Sequence, residues 1–127
     1  MFKKSLIHLL SIGYALCLAV ASFVEINTEA AFSIKHQDKI FHFAAYAVLC
    51  FLFFLSFYLL ALNKSLSYAA LLAFTFGTII ELLQSITPYS RVFDVEDLFA
   101  NTLGILTMLI ILRWKKQTVV KKLQTFM

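Results

Sequence analysis

Four long apolar runs, roughly residues 5–24, 40–62, 66–86 and 98–114, alternate with short polar stretches along the chain. Each is close to the ~20 residues a helix needs to cross a hydrocarbon core of about 30 Å. The fourth is short and is expected to borrow length from its flanks. Polar and apolar residues do not alternate within the runs as they would in the strands of a membrane barrel. Helices are then the remaining way to satisfy every backbone amide in lipid. The expected fold is all-α: one integral membrane bundle of four transmembrane helices that takes up residues 1–127 as a single domain.

Composition points the same way. Of 127 residues, 61% are hydrophobic and 14% charged, against roughly 25% charged in an ordinary soluble domain. Mean hydropathy is +0.87. A water-soluble chain of this size has too little interior to hide so much apolar surface. Three Gly and one Pro leave little material for long linkers. Cys17 and Cys50 fall inside separate apolar runs and read as small apolar fillers.

Charge sets the expected orientation. With the amino terminus inside, Lys3, Lys4, Lys64, Arg113, Lys115, Lys116, Lys121 and Lys122 lie on the inner side, and Lys35, Lys39 and Arg91 on the outer. Eight basic residues against three fits the positive-inside rule for an N-in/C-in protein of a bacterial cytoplasmic membrane. The net charge of +4 is therefore topogenic, and no nucleic-acid partner is expected. Lys3, Lys4, an apolar stretch and Ala19-Val20-Ala21 also have the layout of a signal peptide. The run is longer than a signal core and continues past that site, so retention as a span is expected. Residues 115–127 form a basic cytoplasmic tail in which Val119, Val120, Leu123 and Phe126 are helically spaced. Two readings stand for it: a short helix lying on anionic lipid, or a solvated tail.

Ala69, Ala73 and Gly77 make a smooth stripe on the third helix, and Ala100 and Gly104 repeat the spacing on the fourth; both are read as helix contacts. Phe41, Phe43, Phe51, Phe53, Phe54 and Phe57 surround the second helix and are expected to face lipid.

The polar residues within or beside the spans are the candidates for chemistry. Asp38, His42 and Tyr46 recur every fourth residue and share one face of the second helix, with Lys39 beside them. Asp38 also suits an N-cap. Glu81 sits inside the third span with Gln84 and Ser85 at i+3 and i+4, and Thr78 one turn deeper is a possible hydrogen-bond donor. A charge at the membrane centre costs up to about 3 kcal/mol on insertion scales, so Glu81 is expected to point inward and be paired or protonated. The last outer loop supplies Arg91 and Asp94; Asp97 and Asn101 follow at the head of the fourth helix, with Asp94 as its cap. These residues converge at the outer membrane face. Mutual satisfaction as bundle glue, Arg91 with Asp94 or Asp97 and His42 with Glu81, is the structural alternative to a pocket.

The strings Asp38-Lys39-Ile40-Phe41-His42-Phe43-Ala44-Ala45-Tyr46 and Glu81-Leu82-Leu83-Gln84, Pro88 with Arg91, and Asp94 through Asp97 to Asn101-Thr102-Leu103-Gly104 resemble the VanZ-like membrane protein family. The resemblance covers about half the chain. It implies a link to low susceptibility toward teicoplanin-type glycopeptides and a characteristic set of polar positions at the outer face. The family pattern usually carries a second glycine four residues after Gly104, where this chain has Met108.

Three functions compete. The first is recognition or modification of an envelope component, a cell-wall precursor or glycolipid head group. Arg91 or Lys39 would hold an anionic group, and Gln84 and Asn101 would supply hydrogen bonds. The second is an envelope-lipid hydrolase or transferase with His42 as base and Glu81 as acid, the two candidate catalytic residues. A divalent ion on His42, Glu81, Asp94 and Asp97 would serve it, but the chain carries neither HExxH nor a nucleophile elbow, so no resident metal or cofactor is expected. The third, proton or ion translocation, lacks polar residues along the inner halves of the spans. A purely structural membrane protein is the remaining alternative.

Overall fold

The computed structural model describes residues 1–23, 37–86 and 95–127, with the side chains of Gln37 and Asp38 excepted. The described residues form four helices: α1 (Phe2–Phe23), α2 (Gln37–Leu59), α3 (Ser65–Ser85) and α4 (Val95–Phe126). All four are long and apolar enough to cross a membrane. With the large apolar side chains of α1, α3 and α4 widely exposed, among them Leu16, Val20, Leu71, Ile79 and Ile110, the chain is a multi-pass membrane protein whose outer surface is solvated by lipid.

The core lies between α2, α3 and α4. Tyr46, Leu49, Cys50, Phe53 and Phe54 of α2 pack against Ala69 and Ala73 of α3 and Ile105 and Leu112 of α4. Close approach depends on the small residues. Ala69, Ala73 and Gly77 are all buried on one face of α3. On α4, a Cβ at Gly104 would run into the backbone carbonyl of Phe43, so α2 and α4 touch there backbone to backbone. Lipid offers no hydrophobic push between helices, so such van der Waals contact supplies much of the association. The aromatic expectation for α2 needs correction. Phe41 is exposed, whereas Phe53 and Phe54 are buried at the centre of the core. Small side chains on α3 leave space that only bulky rings on α2 fill.

α1 is the peripheral helix, burying only Ile7 and Ser11. It is held to α2 by polar contacts that apolar patterning does not reveal. Ser11 Oγ lies 2.7 Å from Ser56 Oγ and donates to the Leu52 carbonyl at 3.0 Å, and Tyr14 donates to the Ala45 carbonyl at 2.8 Å.

The turn from α2 to α3 closes with Leu62 N–H on the Phe57 carbonyl and Ala61 N–H on that of Tyr58. Ala61 adopts φ 59°, the left-handed position that glycine usually fills in this cap.

α4 does not stop at Trp114. It continues unbroken to Phe126, about 48 Å at 1.5 Å per residue, so residues 115–126 extend α4 rather than forming a separate helix. No glycine or proline interrupts the sequence after Gly104. Val119 and Val120 pack against the core, Leu123 is buried, and Lys3 Nζ donates to the Phe126 carbonyl at 2.6 Å.

Candidate functional site

The ends of α1 and α3 and the starts of α2 and α4 meet at one end of the bundle, and the buried charged residues gather there. α2 brings Lys39, His42 and Tyr46, one helical turn apart. α3 brings Glu81, four residues before its end at Ser85 and about 6 Å along its axis. α4 brings Asp97 in its first turn and Asn101 one turn on. Asp97 suits that position, because a carboxylate is stabilised by the unpaired amides at a helix start.

The contacts run across helices. Lys39 Nζ pairs with Asp97 Oδ1. Asp97 Oδ2 faces His42 Nε2 at 3.6 Å. The other ring nitrogen, His42 Nδ1, donates to Asn101 Oδ1 at 2.8 Å. With Nδ1 turned to Asn101, Nε2 is the ring nitrogen that faces Asp97. The Tyr46 ring lies parallel to the imidazole, with centroids 6.4 Å apart and 3° between planes, and braces it from the core side. Gly77 makes room for this arrangement: a Cβ there would sit 2.8 Å from the Tyr46 ring and 3.2 Å from Asn101 Nδ2.

Burial makes the cluster unusual. Glu81 is 2% exposed, Asp97 8% and Asn101 1%. Ligand atoms of His42, Glu81 and Asp97 all lie within 4.8 Å of one another. Asn101 Nδ2, fully buried, has no hydrogen-bond partner among the described residues. Such a group costs about 1–3 kcal/mol when left without an acceptor.

Of the residues expected from sequence, Lys39, His42, Tyr46, Glu81, Asp97 and Asn101 come together. Gln84 is buried but turns elsewhere, donating from Nε2 to the Ser22 carbonyl of α1 at 2.5 Å. Thr78 donates to the Phe74 carbonyl of its own helix rather than to Glu81. Asp38 lies in the first turn of α2, its side chain outside the described set, and Arg91 and Asp94 lie outside the described residues altogether. Spacing alone did not find the Lys39–Asp97 pair or the role of Asn101 as the partner of His42. Both cross between helices, and only the α2–α4 register at Gly104 fixes them.

Beside the cluster an apolar groove of about 480 Å³ opens between α2 and α4, lined by Lys39, Ile40, Phe43, Phe99 and Leu103 among others. Lys39 thus stands between the polar cluster and a surface suited to hydrocarbon.

Neither a curated protein nor a solved structure matches the chain. A family model described as VanZ/LLP1 matches residues 4–116. That match takes in α1, the whole polar cluster and α4 as far as Lys116, well beyond the stretch carrying the quoted motifs, and the chain belongs to the VanZ/LLP1 family.

Proposed function

We propose that the chain recognises the polar head group of an envelope lipid, a cell-wall precursor or glycolipid, at the outer face of a bacterial cytoplasmic membrane. The observation that carries this is the meeting of Lys39, His42, Glu81, Asp97 and Asn101 from three helices at one end of an otherwise apolar bundle. Intramembrane ionisable groups are costly, and their usual purpose is a site. The neighbouring groove supports an amphiphilic ligand: a head group at the cluster would place its hydrocarbon chain against Ile40, Phe43, Phe99 and Leu103. The outer placement rests on the eight-to-three distribution of basic residues.

Lys39 supplies the positive charge for a phosphate or carboxylate, and Asn101 Nδ2 supplies a neutral donor. Sequestering or altering a cell-wall precursor at this face would lower susceptibility to glycopeptides of the teicoplanin type, which act on the same side of the membrane. Thermal unfolding of the purified chain in detergent tests the reading. A ligand at one hundred times its Kd stabilises by about 2.7 kcal/mol. Phosphate-headed envelope lipids are expected to raise the melting temperature, with neutral diacylglycerol of the same chain length giving no rise. Equal shifts from both would reduce the site to bundle glue.

A further inference from the structure

The geometry points to a divalent first-row metal site, of the zinc class, formed by His42 Nε2 and the carboxylates of Glu81 and Asp97. It rests on the head-group reading and deepens it, because the ion would present its open position to a head-group oxygen.

Four observations carry it. The three ligand atoms all lie within 4.8 Å of one another, so a small inward shift brings them to the ~3.4 Å edge of a tetrahedral ion with bonds of about 2.0–2.2 Å. Nε2 and Asp97 Oδ2 are 3.6 Å apart, long for a hydrogen bond and close to the edge between two ligands of one tetrahedral ion. The second nitrogen of the imidazole, Nδ1, donates to Asn101 Oδ1 at 2.8 Å. Ligating histidines are held in just this way, with the far N–H on a carbonyl or carboxylate and the near nitrogen left as a lone pair. Finally, Asn101 Nδ2 is buried with no partner among the described residues and lies against α3 at Gly77, one turn from Glu81. It suits an oxygen bound at the ion.

One imidazole and two carboxylates are a borderline-to-hard donor set that takes Zn²⁺, Mn²⁺ or Co²⁺. Three protein ligands with a fourth position open is the arrangement of catalytic rather than structural zinc. Lys39 occupies Asp97 Oδ1 while Oδ2 faces the ring, so the lysine and the ion can hold opposite oxygens of one carboxylate. The sequence offers His42, Glu81 and Asp97, with Asp94, only as a conceivable ion site and without a metal motif, because each ligand comes from a different helix.

The test uses the full chain, purified in detergent through a histidine-free affinity tag, stripped with EDTA and re-equilibrated with Zn²⁺. Bound metal is read by elemental analysis and affinity by competition with a chromophoric chelator. One equivalent is expected in the wild type. His42→Ala and Asp97→Asn are expected to weaken binding at least ~100-fold, and Asn101→Leu about 10–100-fold through the ring orientation. His8→Ala serves as the control with wild-type affinity. Circular dichroism and a monodisperse elution profile show that each variant is folded. Wild-type metal content at the level of His42→Ala would overturn the proposal, and so would unchanged affinity in both ligand variants. Lipid retention that survives EDTA, with zinc at background, would overturn the ion while leaving head-group recognition standing. Stoichiometric zinc without lipid retention would do the opposite.

Discussion

His42 and Asn101 join α2 to α4 through a hydrogen bond of 2.8 Å from ring Nδ1 to the amide oxygen, in a position where Asn101 is 1% exposed. The bond fixes which face of the imidazole looks toward Asp97, and so sets the geometry of the whole cluster. Asn101→Leu keeps the branched shape and removes both the acceptor and the Nδ2 donor. A buried donor left without a partner costs about 1–3 kcal/mol. Because Asn101→Leu also removes the unpartnered Nδ2, the two costs offset, and we expect the variant to insert and fold with little net loss in denaturant titration while losing head-group retention. Wild-type retention by a folded Asn101→Leu chain would show that ring orientation is irrelevant to the site.

A second prediction concerns backbone contact. Gly104 faces the Phe43 carbonyl so closely that a Cβ has no place without moving α2. Overpacking of this kind costs roughly 1–3 kcal/mol. Gly104→Ala is expected to lower stability by that much and to loosen the Lys39–Asp97 register, whereas Gly13→Ala, where nothing lies within 4 Å of the new carbon, should be neutral or stabilising. Similar changes at both glycines would show that the α2–α4 contact does not decide the outcome, since alanine is the better helix former at either position.

The third is energetic coupling between α1 and α2. Ser11 and Ser56 are 2.7 Å apart and buried at 3% and 8% exposure. Interhelical hydrogen bonds in membranes average about 0.6 kcal/mol in double-mutant cycles, with a maximum near 1.7. A Ser11→Ala, Ser56→Ala cycle should return a coupling within that range. Strict additivity would mean that α1 is held by packing and lipid alone.

How much of this was legible in the residues varies with what each feature depends on. Four apolar runs of span length specified four helices, because length and hydropathy are local properties. Lys115 and Lys116 mark the end of the apolar run but do not break the helix, so the continuity of α4 to Phe126 was not legible there. Phe53 and Phe54 read as lipid-facing from sequence because an all-apolar helix has no amphipathic contrast to tell core from lipid. At the site, His42 and Tyr46 could be assigned to one face from their spacing. Gln84 could not be placed from its spacing to Glu81: three residues leave about 60° between side chains, enough for one to face the cluster and the other α1. The pairs Lys39–Asp97 and His42–Asn101 required the interhelical register, which the pattern of either helix alone does not contain.

Orientation gives the fourth prediction. With both termini in the cytoplasm, a fluorescent protein fused after Met127 should fluoresce, and an alkaline phosphatase fused after Ile86 should be active. Activity patterns reversed at both positions would put the cluster on the inner face and end the envelope reading, whatever its affinity for lipid.

The central claim, that the cluster binds a head group, is tested most directly by native mass spectrometry of the chain released from mild detergent micelles. Wild type is compared with Lys39→Ala and Asn101→Leu at matched lipid. Removing a charge-assisted contact worth about 1.5–3 kcal/mol should cut retention of phosphate-headed lipid roughly ten- to hundredfold. Both variants are predicted to lose the bound lipid while keeping their helical content. Retention by both at the wild-type level would contradict the account and leave the polar cluster as a means of holding α2, α3 and α4 together.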